Sequence, residues 1–122
     1  MAHEIKMGKD GILRTALIGN VEKTDIDMFM RELNPFLAAS TEAVPLNLIT
    51  DAHRTESYSS AARKVFTQFN YDRRIGKTAV VGANRTTRVL MHIVQRASKR
   101  DNIKLFDTEE AAIKWIKNGH QS

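Results

Sequence analysis

Short strand-like runs alternate with amphipathic helical stripes along most of this chain, and that alternation limits the possible folds more than any other feature. Glu4–Met7 and Ile12–Ile18 read as strands separated by Gly8-Lys9-Asp10-Gly11, where Asp-Gly is strong hairpin chemistry. Thr24 begins a helix: it can cap free amides, and Asp25 and Asp27 suit the positive end. Ile26, Phe29, Met30, Leu33 and Leu37 then recur at helical spacing, and Pro35 predicts a kink or an early end. Leu46–Thr50 is an apolar strand ending at Asp51, and Asp51–Ser57 is polar and loop-like. From Ser57 the stripe Ala62, Val65, Phe66, Phe69 is helical, and Gly76 closes that segment. Thr78–Gly82 is a buried strand. Thr86 or Thr87 starts a third helix, with Val89, Leu90, Ile93, Val94 and Ala97 as its inner face. Ile103–Phe106 is the last strand. Asp107 and Glu110 have capping-box spacing for a final helix carrying Ala112, Ile113, Trp115 and Ile116, with Gly119 as a natural stop.

The order is therefore ββαβαβαβα. Strand–helix–strand crossovers make the later strands parallel, and the opening hairpin adds one antiparallel edge. The fold class is α/β, a single mixed, mostly parallel sheet with flanking helices. A chain of 122 residues is enough for one domain with a proper core, and no linker or repeat divides it, so residues 1–122 are read as a single domain. There is no cysteine, which removes disulfides, thiolate metal sites and cysteine nucleophiles. No apolar run is long enough to span a membrane, and Met1–Gly8 lacks the character of a signal peptide, so a soluble, cytoplasmic protein is expected.

The net charge of +5 is unevenly placed. Residues 63–100 carry ten Lys/Arg against Asp72 alone, whereas residues 1–62 are net acidic. A local field of that sign favours phosphates on a ligand, a lipid headgroup or a modified partner. The plainer account is solvation plus helix-dipole matching, with Arg73 and Arg74 closing one helix and Lys99 and Arg100 another. No aromatic residues interleave with the basic block and no recognition-helix signature is present, which weighs against nucleic acid.

In a parallel sheet the loops leaving the strand C-termini gather on one edge, where the following helices begin. Thr24, Ser57 with Ser59 and Ser60, and Thr86 with Thr87 should therefore converge, each start offering free N–H groups and a positive partial charge. Arg85 and Arg88 stand at the same rim, and Asp51, His53 and Glu56 lie on the neighbouring loop. Thr86, Thr87, Arg85, Arg88 and Asp51 are the candidates for holding an anionic ligand. Gly76-Lys77-Thr78 imitates the end of a P-loop, but Tyr71 stands where the upstream glycine belongs and a strand follows. Asp51, His53 and Ser57 are triad residue types crowded on one short loop, whereas a triad draws its partners from separate elements. His3, His53, His92 and His120 are scattered without ligand spacing. No catalytic, metal or cofactor assignment follows.

The stretch Ile75-Gly76-Lys77-Thr78-Ala79-Val80-Val81-Gly82, continued to Phe106-Asp107-Thr108-Glu109-Glu110-Ala111-Ala112-Ile113-Lys114-Trp115-Ile116, resembles the STAS superfamily, and within it the SpoIIAA-like proteins of bacteria. Like them it has an AVVG strand, a helix, a strand closing on Phe-Asp and an acidic EEAxxW helix. The resemblance covers about residues 4–118. It implies a non-enzymatic regulatory domain that binds protein partners, a kinase or another regulator among them, with room for a homodimer. In the anti-sigma-factor antagonists of the superfamily a partner kinase phosphorylates a serine of an Asp-Ser-Ser/Thr-Gly motif at a helix start. Here the region reads Asp51-Ala52-His53-Arg54-Thr55-Glu56-Ser57-Tyr58-Ser59-Ser60, without the compact motif, which leaves Ser57, Ser59 and Ser60 as phosphorylation candidates. The branch has also been likened to the CRAL-TRIO lipid-transfer fold, so the alternative function is an anionic-ligand or lipid-binding module using the strand C-terminal edge and the basic face.

Overall fold

Backbone pairing begins with the hairpin. In the computed structural model, which describes residues 2–118, β1 (Ala2–Met7) pairs antiparallel with β2 (Leu13–Val21), in register from Ala2↔Ile18 to Met7↔Leu13. The turn is fixed by Asp10, whose carboxylate accepts the Ile12 N–H at 3.1 Å and both arms of the Arg14 guanidinium at 2.6 and 2.9 Å. The Arg14 guanidinium holds the Asp10 carboxyl down to about 2. Gly11 takes a φ of 80°, a left-handed value that strains residues with a side chain.

β2 pairs parallel with β3 (Leu46–Asp51), β3 with β5 (Ile75–Val81), and β5 with β6 (Ile103–Phe106), so the main sheet runs β1-β2-β3-β5-β6. One strand was hidden in the sequence. β4 (Thr55–Tyr58) occupies the end of the stretch expected to be loop, making the order ββαββαβαβα. The cause is length: β2 runs on to Val21, past its pairing with β3, and its unpaired backbone at Gly19–Val21 takes up β4 in parallel. The second helix, α2 (Ser60–Phe69), consequently begins after Ser59 rather than at Ser57.

The other helices also differ from expectation at their ends. α1 (Lys23–Ala38) is capped at Glu22, whose N–H is accepted by Asp25 at 2.9 Å, rather than at Thr24. It continues through Pro35 to Ala38, because a proline in the last turn removes only one amide from the ladder. Gly76 belongs to β5 and not to the end of α2. Arg74 lies in the turn after α2, paired with Asp72 at 2.8 Å. Arg100 is no solvated helix end either: its guanidinium donates to the carbonyls of Asn70, Asp72 and Ile75 at 2.8–3.2 Å. α3 (Arg85–Ser98) is capped by Asn84, and α4 (Glu109–Lys117) by Thr108 instead of Asp107. Gly119 and His120 lie outside the described residues.

Strand alternation sends Leu13, Leu17, Leu48 and Val80 to one face of the sheet and Ile12, Ile49, Ala79 and Val81 to the other. α1, α2 and α3 cover the first face, with Ile26, Phe29, Leu33, Ala62, Leu90 and Val94 buried against it. α4 alone covers the second, through Ala112 and Ile116. α3 departs from its expected inner face: Thr87, Leu90, Val94 and Ser98 are buried, while Val89 and Ile93 are 52% and 49% exposed and Ala97 also faces out. A cavity of about 60 Å³ remains between the sheet and α1–α3, lined partly by Thr15, Thr50, Thr55, Tyr58 and Thr87. None of the described helices is long and apolar enough to cross a membrane.

Candidate functional site

Because β2, β4, β5 and β6 run parallel and each leads directly into a helix, all four helices begin along the C-terminal edge of the sheet. The edge has two sides, however. α1–α3 begin on one face and α4 on the other, which separates residues that the sequence grouped together.

The three serines occupy different local environments. Ser57 lies within β4, not at a helix start, and its hydroxyl donates to Asn20 Oδ1 at 2.6 Å. Ser59 is the N-cap of α2: its Oγ accepts the Ala62 N–H at 3.1 Å, and its own N–H reaches Val21 O at 2.9 Å. Ser60 is the first helical residue, exposed, with its Oγ accepting from Arg63 Nη2 at 3.1 Å.

β4 ties the starts of α2 and α3 together. Asn84 caps α3 by accepting the Thr87 N–H at 2.9 Å, and its Nδ2 donates to Thr55 O at 2.9 Å. Thr87, expected at the rim, is fully buried, with Oγ1 3.0 Å from the Tyr58 hydroxyl. It is a core contact, because the helix starts earlier than expected and turns that residue inward. Burial raises the Tyr58 phenol above its usual value. Arg85 and Thr86 remain exposed in the first turn and line a recess with Arg63 and Tyr58. Arg88 is exposed, and its Nε donates to Ala83 O at 3.3 Å.

Asp51, grouped with the arginines in the sequence, is on the α4 side instead. It shares a recess with His53, Asp107, Thr108 and Glu109, because odd-numbered β3 residues point that way. Its Oδ1 accepts the His53 backbone N–H at 3.0 Å and faces Nδ1 at 2.7 Å. Burial alone would raise this carboxyl, but the His53 contacts and the nearby Arg54 outweigh it and hold the group below its ordinary value. The His53 ring lies against Gly82, where a Cβ would come within about 2.3 Å of Nε2 and Gly82 takes a φ of 72°. Ser57, engaged by Asn20, does not complete a triad with this pair. Among the described residues no group of three or more His, Asp or Glu is arranged to hold a metal ion.

The geometry thus brings Ser60, Arg63, Arg85 and Thr86 to one side of the edge and Asp51 with His53 to the other. Asn84, Tyr58 and Arg63 were missed in the sequence. Asn84 had a readable signal, an asparagine three residues before Thr87 at the head of an amphipathic stripe. Arg63 also had one, its i, i+3 spacing from Ser60 on the same helix, whereas Tyr58 had none because its partner Thr87 lies on another element.

The parallel sheet with one antiparallel edge strand, helices on both faces and four helix starts along one edge define a mixed α/β domain of the STAS type. A family model described as SpoIIAA-like matches residues 12–117, and the chain belongs to that family. No curated protein matches it. Among solved structures it is similar to an uncharacterized protein of the DUF3478 family with a SpoIIAA-like fold from Shewanella loihica PV-4, with a TM-score of 0.68, 15% identity, and coverage of 93% of this chain and 91% of that one. It is also similar to the anti-sigma factor antagonist SpoIIAA in its unphosphorylated form, with a TM-score of 0.69, 16% identity, and coverage of 95% and 98%. At these identities the likeness establishes the fold.

Proposed function

We propose that this chain is a non-enzymatic regulatory domain that binds a protein partner, switched by phosphorylation of Ser60. One observation carries the reading: Ser60 is exposed at the first position of α2, with the Arg63 guanidinium 3.1 Å from its Oγ. A phosphoryl group there would meet the positive helix end, free backbone amides and an arginine, the setting that orders such a group. Ser59 is less suited because its Oγ already caps Ala62, and Ser57 because Asn20 holds it. Membership of the SpoIIAA-like family and likeness to an antagonist described in its unphosphorylated form support a regulatory role.

The test is affinity capture from the source cells with wild type, Ser60→Asp and Ser57→Asp, read by mass spectrometry for partners and phosphosites. Ser60→Asp should change the captured set and Ser57→Asp should not. Identical sets for wild type and Ser60→Asp, with no phosphate on Ser60, would overturn the assignment.

A further inference from the structure

The outer surface of α2 and α3 carries a groove that the core does not use. Two recesses, of about 410 and 280 Å³, share Arg63 and Ile93 and so run together between the helices. Val89 and Ile93, one turn apart on α3, line it half-exposed, although the periodicity of the sequence marks both as core positions. The flanks are cationic: Arg63 and Lys64 from α2, Arg85 from α3. Among the described residues none of these three makes an ion pair. Between Ser57 and Arg100 the sole carboxylate is Asp72, and Arg74 already engages it. Among the described residues nothing covers Val89 and Ile93 or supplies a carboxylate to Arg63, Lys64 and Arg85.

We propose that the α2–α3 groove docks an acidic, amphipathic segment of the partner protein. The partner segment presents aliphatic side chains at i, i+4 spacing to Val89 and Ile93, and carboxylates to Arg63, Lys64 and Arg85. Val89 and Ile93, one turn apart between cationic flanks, match the apolar stripe of a helix with acidic neighbours. Ser60 lines the same groove beside Arg63, so a phosphate there would add about two negative charges and compete for that arginine. The groove rests on the partner-binding reading above and not on the Ser60 switch.

The experiment selects peptides of about 16 residues, roughly four helical turns, from a random display library on the purified wild-type protein. Enriched sequences should be acidic with aliphatic residues four apart. They should bind at least about tenfold more weakly to Ile93→Asp and to Lys64→Glu, the size of loss expected at a central contact. Both residues are solvent-facing, and thermal melts matching wild type would confirm that the variants fold. Binding should also weaken from about 0.05 M to about 0.5 M salt as screening grows. Enrichment without acidic bias, or peptides that bind both variants as well as wild type, would overturn the groove. Tighter binding to phosphatidylserine vesicles than to any selected peptide, lost in the same variants, would overturn it in favour of a membrane. Ser60→Asp separates the two claims: unchanged peptide affinity with both groove variants defective would leave the groove standing and remove the switch.

Discussion

On one face of the sheet three helices bury Leu13, Leu17, Leu48 and Val80 beneath Ile26, Phe29, Leu33, Leu90 and Val94, while on the other a nine-residue α4 places Ala112 and Ile116 over Ile49, Ala79 and Val81. Beside α4, the second face is finished by charge. Arg14 joins Asp10 and lies 3.5 Å from Glu109, and Arg54 meets Glu4 at 2.9 Å. The first face instead hides its polar atoms inside, as Thr15–Thr50 and Tyr58–Thr87 hydroxyl pairs around a small cavity. The difference separates the face that anchors the core from the face whose charges are met on the surface. The three-helix side anchors the fold and carries the unpaired basic groove outside, whereas the α4 side pairs Arg14 and Arg54 with acids and sets Lys77 and Lys104 over the Trp115 ring.

The largest expected effect lies in the three-helix core. Leu90→Ala, at a residue 2% exposed, should cost about 2–5 kcal/mol, and Ile116→Ala on α4, at 8% exposed, should cost less. Urea unfolding of both checks the order, and a larger loss for Ile116→Ala would reverse the comparison. Next comes the buried hydroxyl pair. Thr15→Val should cost about 1 kcal/mol by leaving the Thr50 hydroxyl without its 2.9 Å partner. The double change with Thr50→Val should recover most of that, as paired removal of both hydroxyls leaves no orphan. Simple additivity in the cycle would mean the pair contributes nothing as a pair.

The smallest effect belongs to the charged side. Because Arg14 lowers the Asp10 carboxyl from 3.8 to about 2, its stabilisation is complete above the unfolded value and disappears as pH falls through the folded one. At neutral pH Asp10→Asn should lower stability by no more than about 1 kcal/mol, since such surface pairs are worth little. Melting curves of wild type and Asp10→Asn should draw together as pH falls from about 4 to about 2. A gap that stays constant across that range would show that the turn, and not the ion pair, carries the effect.

Sequence reading recovered the hairpin, all four helices and the class of sheet because each is signalled by neighbours a few residues apart. Gly8-Lys9-Asp10-Gly11 fixes a turn, and stripes such as Ile26, Phe29, Leu33, Leu37 fix a helix and its buried side. β4 was illegible because Thr-Glu-Ser-Tyr is polar and short; it exists as a strand because β2 extends past β3. The face of α3 was half legible. Val89, Leu90, Ile93, Val94 and Ala97 form a stripe wider than one seam, and packing against β4, β5 and β6 buried only Leu90 and Val94 of it. Arg100 was read as a dipole partner, since nothing local reveals the three carbonyls it joins.

By itself the sequence determined the order of most elements, the parallel character of the sheet and the concentration of positive charge after residue 62, for these follow from periodicity, turn residues and composition. Tertiary structure alone decided that Thr87 is buried while Val89 and Ile93 are left outside, and that Asp51 and His53 stand across the sheet from Ser60 and Arg85. Which way a side chain faces around a helix, or which side of a strand edge it joins, depends on partners far away in the chain, and short-range signals carry no information about them.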